Sequence, residues 1–222
     1  MRPYLPDMTK NYKIEACVET FEEAQAAQRN GADQIELCGR LDLDGITPDR
    51  DLIARCKEKL DIDIKVMIRP RGGSFEYNEE EINQMKVNID YCQKMEVDGV
   101  VLGILSGNQL DIDLISELAK YASPLKVTVH KAIDDTDDIL LETKKLTSIS
   151  DHVETILTSG GALTAEEGLP ILKQMLEICS GQINIMPAGK ITDSNLSSLH
   201  KELNTTGYHG RKIVGDLTLS HI

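Results

Sequence analysis

Short apolar runs alternate along the chain with longer segments in which apolar positions recur every three or four residues. The short runs have the length and β-branched content of buried strands, and the longer segments have the periodicity of amphipathic helices. The predicted strands cover residues 12–18, 34–38, 64–69, 97–105, 125–130, 153–158, 183–187 and 208–214. The predicted helices cover residues 21–30, 48–60, 79–95, 113–121, 136–146, 165–179 and 194–203.

Strict alternation of strand and helix is typical of parallel βαβ units. Eight such units within 222 residues favour a TIM-type (β/α)₈ barrel of the α/β class over an open, doubly wound sheet. Few residues follow the eighth run, so the last β/α unit is predicted to be shortened. Residues 1–11 are expected to form a loose N-terminal arm, and residues 12–222 a single barrel domain.

Within each predicted strand, the ionisable residues have the opposite parity from the aliphatic ones. In a parallel barrel the outward positions face helices and must be apolar, whereas the inward positions face the lumen. The pattern therefore predicts that the charged strand residues gather in or above the lumen. These residues are Glu15, Glu36, Lys65, Arg69 and His130.

Composition narrows the expected partners and location. The chain has 37 acidic and 24 basic residues, and its net charge of −13 argues against binding to nucleic acid or to an anionic membrane surface. No run approaches the roughly 18 apolar residues of a membrane span, and the N-terminal residues do not resemble a secretory signal. The five cysteines include no Cys-x-x-Cys pair, which favours reduced thiols and a cytoplasmic location.

The third predicted strand ends abruptly in basic residues. Arg69 and Arg71 flank a proline and precede a glycine pair. Two guanidiniums at the end of a buried strand are unfavourable unless an anionic ligand or a water-filled cleft meets them. Glu15, Glu36 and His130 are then candidates for acid–base catalysis on that ligand. The alternative is a structural network of ion pairs that fills the lower part of the barrel.

Two glycine-containing turns follow later strands. Ser159, Gly160 and Gly161 come after the sixth predicted strand, and Gly189 comes after the seventh. Backbone amides at such turns can bind a phosphate, although any βα turn can use glycine for its shape alone. Asp134, four residues beyond the fifth strand, is predicted either to face the same mouth as a catalytic group or only to begin the next turn.

Two cysteines occupy equivalent positions at the ends of the first two predicted strands. Cys17 and Cys38 each stand two residues after a strand glutamate. Adjacent strands lie about 4.8 Å apart, so the two thiols are expected to be neighbours at the barrel mouth. Paired thiolates suit Cu(I) or zinc, and the alternative is that both are simply small buried residues. The other three cysteines lie in predicted helices and are expected to be packing or surface residues, and His209 is expected to be structural.

These and further motifs occur in one order from about residue 14 to about residue 189. They include Glu15-Ala16-Cys17, Gly31-Ala32-Asp33-Gln34-Ile35-Glu36-Leu37-Cys38, Gly45-Ile46-Thr47-Pro48, Ile68-Arg69-Pro70-Arg71-Gly72-Gly73, Asp98-Gly99-Val100-Val101-Leu102-Gly103, Leu157-Thr158-Ser159-Gly160-Gly161 and Ile185-Met186-Pro187. Together they resemble the CutC family of copper homeostasis proteins. The resemblance implies a TIM-type barrel, a cytoplasmic location, self-association, and Cu(I) bound by Cys17 and Cys38.

Two leading hypotheses follow. The first, implied by the resemblance, is a cytoplasmic copper-binding protein of copper homeostasis with the two strand-end cysteines as ligands. The alternative is a TIM-barrel enzyme that applies Glu/His acid–base chemistry to a small phosphate- or carboxylate-bearing substrate held by Arg69 and Arg71. A third hypothesis is a regulatory binding barrel without chemistry. The expected partners are a copper ion or a small anionic ligand and further copies of this chain, and no organic cofactor is predicted.

Overall fold

A computed structural model describes residues 10–217, so the expected loose arm lies almost entirely outside the described residues. Within this part of the chain, eight short parallel strands form the main sheet. In chain order they are β1 (Lys13–Val18), β2 (Gln34–Leu37), β3 (Asp63–Met67), β4 (Gly99–Leu102), β5 (Lys126–Val129), β6 (Thr155–Thr158), β7 (Asn184–Pro187) and β8 (Gly207–Gly210).

Seven α-helices connect these strands in the described residues. They are α1 (Phe21–Asn30), α2 (Arg50–Lys59), α3 (Glu79–Lys94), α4 (Ile112–Tyr121), α5 (Ile139–Thr147), α6 (Leu169–Cys179) and α7 (Leu196–Leu203). Capping side chains fix where several of them begin: Thr20 accepts from the Glu23 amide at α1, and Asn78 and Glu81 form a reciprocal capping box at α3. None of these helices has the length and apolarity that crossing a membrane requires.

The sheet curls into a nearly closed barrel in the order β8–β1–β2–β3–β4–β5–β6–β7. In this register Glu15 pairs with His209 across β1 and β8, and Cys17 pairs with Glu36 across β1 and β2. No ladder joins β7 to β8 in the described residues. There the Thr205 hydroxyl donates to the carbonyl of Ile185 at 2.6 Å and closes the seam. The predicted TIM-type barrel is confirmed.

Alternate residues of each strand face two different interiors. Val66 and Val100 pack with helix residues such as Met85 in the main hydrophobic core, between the sheet and its helices. Their neighbours Met67 and Val101 belong to a separate cluster inside the barrel. This inward face also buries the polar side chains of Glu15, Gln34, Glu36, Lys65 and Thr128. The arrangement agrees with the parity argument, in which charged strand residues point into the lumen.

Several predicted boundaries are wrong for local reasons. The fourth strand ends at Leu102, because residues 105–110 form a separate two-stranded hairpin. Helix α5 begins at Ile139, since residues 131–135 form a 3₁₀ turn and Asp138 caps the helix that follows. Strand β8 ends at Gly210, where the chain approaches the carbonyl of Ile191 so closely that a Cβ would lie 2.3 Å from its oxygen. No helix follows β8 as far as residue 217, in agreement with the shortened last unit.

Candidate functional site

The carboxyl ends of the strands open into one cavity of about 1020 Å³. This is the end of a TIM-type barrel at which binding and catalytic groups generally lie. The cavity brings together most of the site residues that the sequence predicted: Cys17, Glu36, Cys38, Arg69, His130, Asp134, Gly161 and Gly189. Glu15, Arg71, Ser159 and Gly160 are not among the residues that line it.

Three potential metal ligands meet on one wall of the cavity. One ligand atom each of Cys17, Glu36 and Cys38 lies within 4.8 Å of the others, and all three residues are buried. We call these three residues the thiol centre. The Cys38 thiol donates to Glu36 Oε2 at 3.5 Å, and Met67 packs against both cysteines. Two sulfur ligands beside a thioether side chain form a soft donor set, which fits Cu(I) better than a hard cation.

Neighbouring groups give the two cysteines different acidities. The hydrogen bond from Cys38 lowers the pKa of Cys17 to about 5, against the opposing effect of burial, and His209 lowers it further. The same bond raises the pKa of Cys38 well above its usual value, and burial adds to this. Burial also raises the pKa of Glu36 to about 8. Of the two cysteines, Cys17 is therefore the one whose surroundings favour the thiolate, and Cys38 the one that favours the thiol.

His209 is the cationic partner of the thiol centre. The sequence analysis missed this role, because it expected His209 to be structural. Its Nδ1 lies 2.7 Å from Glu15 Oε1, and its Nε2 lies 3.7 Å from Glu36 Oε2. Burial lowers the pKa of His209, but Glu36, Cys17 and Glu15 outweigh burial and raise it well above its usual value. The signal was present in the strand parity, because the buried Tyr208 packs outward in the main core and places the next residue inward.

Glu15 and Lys65 lie among the buried polar groups of the lumen, and neither lines the cavity. Glu15 accepts from Gln34 and pairs with His209, so its carboxylate orients that imidazole. Lys65 donates to Thr128 Oγ1 at 2.8 Å. For these two residues the geometry matches the network of structural polar pairs that the sequence argument kept as an alternative.

Arg69 lies at the cavity wall with its guanidinium held by backbone carbonyls. Its Nη1 donates to the carbonyls of Leu43, Asp44 and Gly45, and its Nη2 donates to that of Gly73. Its Nε is buried without a hydrogen-bond partner. The side chain is thus fixed in direction while one charged donor remains unused.

His130 is neutral and has a defined tautomer. Burial, and next the charge of Arg69, lower its pKa to about 3. Its Nδ1 accepts a hydrogen bond from the Ala132 amide at 3.1 Å, so we assign the ring proton to Nε2. That Nε2 is buried and has no partner. A neutral imidazole with one unused N–H is suited to donating a hydrogen bond rather than to exchanging protons.

The structure does not bring Arg71 to the cavity. Its guanidinium forms an ion pair with Glu81 at 2.6 Å and donates to the carbonyls of Ser74 and Glu76. Arg71 thereby ties the loop after β3 to the first turn of α3. Of the two arginines that were expected to bind an anion, only Arg69 lines the cavity, whereas Arg71 holds the loop after β3 in place.

Asp134 already binds the amides that were expected to hold a phosphate. Its carboxylate accepts from the backbone N–H groups of Ser159 and Gly161, both at 3.0 Å, and from the Thr158 hydroxyl. Lys131 pairs with the same carboxylate at 2.6 Å. These donors are therefore occupied by a side chain of the protein itself.

Gly189 lines the cavity at the turn after β7. Its φ of 98° lies in the left-handed region, and a Cβ there would come within 3.0 Å of Ser159 Cβ. Close packing of two loops explains this glycine without a ligand.

Comparison with known proteins gives a consistent picture. The model of the CutC family matches residues 12–214. The Homo sapiens copper homeostasis protein cutC homolog is 38% identical over 199 residues, which cover 89% of this chain and 72% of the relative. A CutC family protein of Bacteroides fragilis is 34% identical over 202 residues, which cover 90% of this chain and 80% of the relative.

Solved structures agree with the sequence comparisons. The crystal structure of the CutC protein from Streptococcus agalactiae superposes with a TM-score of 0.85 at 28% identity, covering 91% of this chain and 99% of that one. Deoxyribose phosphate aldolase from Aeropyrum pernix, at 11% identity and a TM-score of 0.67 over 92% of this chain and 88% of that one, shares only the barrel fold. The family match over residues 12–214, together with relatives of more than 30% identity, shows that this chain belongs to the CutC family.

Proposed function

We propose that this protein binds Cu(I) as part of copper homeostasis, with Cys17 and Cys38 as its sulfur ligands. The convergence of two buried cysteines and Glu36 within 4.8 Å is the observation that carries the proposal. The printed names of the human relative and of the Streptococcus agalactiae structure, both copper homeostasis proteins, support the link to copper. Soft thiolate donors favour Cu(I), which is the copper state that a reducing compartment maintains.

The surroundings of the two cysteines suit a monovalent soft cation. Cys17 supplies one negative charge, and the thiol of Cys38 supplies a second sulfur beside it. Met67 and Val101 enclose the sulfurs on their apolar side. His209, held by Glu15, keeps a positive charge close by, so the cluster carries little excess negative charge that would attract a hard divalent ion.

Replacing both ligands tests the proposal. In Cys17→Ser/Cys38→Ser protein, we expect the affinity for Cu(I) to fall by at least about a hundredfold, because both sulfur ligands are lost. The measurement is a competition titration against a colorimetric Cu(I) chelator under reducing, oxygen-free conditions.

A matched control keeps the number of replaced cysteines the same. Cys56→Ser/Cys179→Ser removes two buried helix cysteines that do not line the cavity, and should leave the Cu(I) stoichiometry unchanged. An unaltered affinity in the Cys17/Cys38 variant would exclude these two residues as ligands.

We also propose that the protein works in the cytoplasm and associates with further copies of itself. All five cysteines are free and buried, which suits a compartment that keeps thiols reduced. Fractionation of cells that express the chain tests the location. Light scattering on the purified protein tests the assembly, and a strictly monomeric particle would contradict self-association.

A second candidate function is an enzyme that acts on a small anionic substrate. Copper binding leaves unexplained why Arg69 Nε and His130 Nε2 are both buried without partners at the same cavity. Buried polar atoms are nearly always paired in native proteins, so an unpaired group at a cavity suggests a missing ligand. Turnover of a metabolite by copper-free protein would support this function, and ligand binding without conversion would favour the binding barrel.

A further inference from the structure

Two hydrogen-bond donors on one wall of the cavity are buried and unused. Arg69 is 3% exposed and His130 is 4% exposed, and both side chains line the cavity. Arg69 Nε and His130 Nε2 are among the few buried side-chain atoms of the described residues that have no hydrogen-bond partner. Both atoms carry a proton to donate, since Arg69 is a guanidinium and His130 uses its Nδ1 as an acceptor.

The positive charge of Arg69 has no counter-ion. In residues 10–217, no carboxylate lies within ion-pairing distance of its guanidinium. Its Nη1 and Nη2 donate to backbone carbonyls of the loops after β2 and β3. A buried cation without an anionic partner is unfavourable in a low-dielectric surrounding. A negatively charged oxygen ligand would supply both the missing charge and the missing acceptor.

The surroundings of His130 hold its ring in a position to donate a hydrogen bond from Nε2. The Ala132 amide fixes one side of the ring, and Gly103 leaves the space that the ring occupies. Because the imidazole stays neutral, it adds a donor beside Arg69 without adding a second positive charge. Two N–H donors and one positive charge select an oxyanion, whereas the thiol centre selects a soft cation, so the two sites are chemically distinct.

Phe75 lies against both donors. Its ring centre is 4.6 Å from Arg69 Cζ and 4.8 Å from the His130 ring centre. The backbone of its loop is held in place, since the Phe75 carbonyl accepts from the Leu105 amide at 3.0 Å and Arg71 binds the carbonyls on either side. The half-buried side chain is therefore the part of this loop that can rotate while the backbone stays fixed.

We infer that Arg69 and His130 form a subsite for the oxyanion group of a small ligand, a carboxylate or a phosphate, and that Phe75 covers this subsite until the ligand displaces its ring. We call it the oxyanion subsite. The inference rests on the second candidate function and names the atoms that hold its substrate. It also replaces Arg71 and the 159–161 turn as the anion-binding elements, because their donors are already used within the protein.

The test uses copper-free, full-length protein and two probes, inorganic phosphate and succinate, measured by isothermal titration calorimetry. The parent protein should bind at least one probe. Phe75→Ala should bind that probe about fivefold more tightly, because no aromatic ring competes for the guanidinium. Arg69→Met in the Phe75→Ala background should bind about tenfold more weakly than Phe75→Ala alone, because a charged hydrogen bond is lost.

Two control variants separate the subsite from general effects. Arg211→Met removes the same charge from the same cavity, but Arg211 is paired with Glu23, so probe binding should change less than twofold. Tyr121→Ala removes an exposed aromatic ring on α4 and should not change binding. Circular dichroism confirms that each variant is folded, and a shift of the His130 Nε2 resonance on adding the probe reports the second donor directly.

The outcomes distinguish the subsite from the function on which it rests. Tighter binding of phosphate identifies a phosphorylated ligand, and tighter binding of succinate identifies a carboxylate. Absence of binding to Phe75→Ala, or equal losses in Arg69→Met and Arg211→Met, would overturn the subsite. Turnover of a metabolite that Arg69→Met leaves unchanged would also overturn it while sustaining an enzyme function. Binding that depends on Arg69 without any turnover would sustain the subsite and remove the enzyme function.

Discussion

At the scale of single residues, Gly103 determines where the His130 ring lies. A Cβ at position 103 would come within 2.6 Å of both Cε1 and Nδ1 of the imidazole and within 3.0 Å of Ala132 Cβ. The ring cannot yield without breaking its hydrogen bond from the Ala132 amide. The absence of a side chain at position 103 is therefore part of how the cavity fixes its neutral donor.

Gly103→Ala should lower the free energy of unfolding by about 1–3 kcal/mol, because the added methyl overpacks a closed site. Urea denaturation measures the change. In Gly103→Ala/His130→Ala, the clash with the imidazole is removed and only the milder contact with Ala132 Cβ is left, so the double variant should be less destabilised than the sum of the two single variants. Simple additivity would show that the methyl is accommodated without moving the imidazole.

The direction in which a single side chain points could be predicted from the sequence only within the strands, where alternate residues face the lumen. Glu36, Arg69 and His130 were placed correctly at the lumen or its mouth, because period two leaves an inward residue no other direction. Arg71 lies four residues beyond the end of β3, so strand parity no longer fixes its side chain, which forms an ion pair with Glu81. Asp134 captures amides more than twenty residues further along the chain, a tertiary contact that no local pattern encodes.

At the scale of elements, Asp134 joins the 3₁₀ turn after β5 to the loop after β6. Burial alone would raise its pKa, but the Lys131 charge and the donors of Thr158 and Ser159 hold it below its usual value of 3.8. In acid the folded state therefore binds fewer protons at this group than the unfolded state. The ionised carboxylate therefore contributes its full stabilisation at pH values above about 3.8, the pKa in the unfolded chain. This contribution is lost as the pH falls through the lower pKa that Asp134 has in the folded protein.

Asp134→Asn should lower the free energy of unfolding at pH 7 by about 1–3 kcal/mol, because several charge-assisted hydrogen bonds are weakened. The difference between parent and variant should shrink as the pH is lowered below the usual value of 3.8, since the parent carboxylate becomes protonated. Urea denaturation at a series of pH values measures both effects. A difference that stays constant down to pH about 3 would rule out the carboxylate charge as the source of the stabilisation.

At the scale of the whole molecule, the barrel formed by residues 10–217 has one seam without a strand ladder, between β7 and β8. The buried Thr205 hydroxyl spans it by donating to the Ile185 carbonyl. Thr205→Val keeps the shape and removes this bond, so it should cost about 1–2 kcal/mol of stability. Amides of β7 and β8 should also exchange faster with deuterium, as measured by mass spectrometry.

The neighbouring threonine provides the control for the seam. The hydroxyl of Thr206 is exposed and lies 3.4 Å from Asn184 Oδ1, so Thr206→Val should change stability by less than about 0.5 kcal/mol. Equal effects of the two substitutions would mean that the seam is held by packing rather than by the Thr205 hydrogen bond.

The architecture of the whole chain could be predicted because strand and helix alternate without interruption, and parallel units of this number close into a barrel. The resemblance in the motifs pointed to the family that matches residues 12–214. The ends of elements were less predictable, since caps and close approaches decide them. The 3₁₀ turn before α5 and the tight contact at Gly210 are examples.

The position of His209 near the end of the chain has a consequence for biosynthesis. Glu15 and Cys17 lie on β1, and Glu36 and Cys38 lie on or directly after β2, so all four leave the ribosome early. The imidazolium that pairs with the two glutamates, His209, is translated about 170 residues later, on β8. Until β8 docks beside β1, Glu15 and Glu36 occupy adjacent strands without that compensating cation, which disfavours their burial. Completion of the cavity should thus be a late event, after most of the chain has been made.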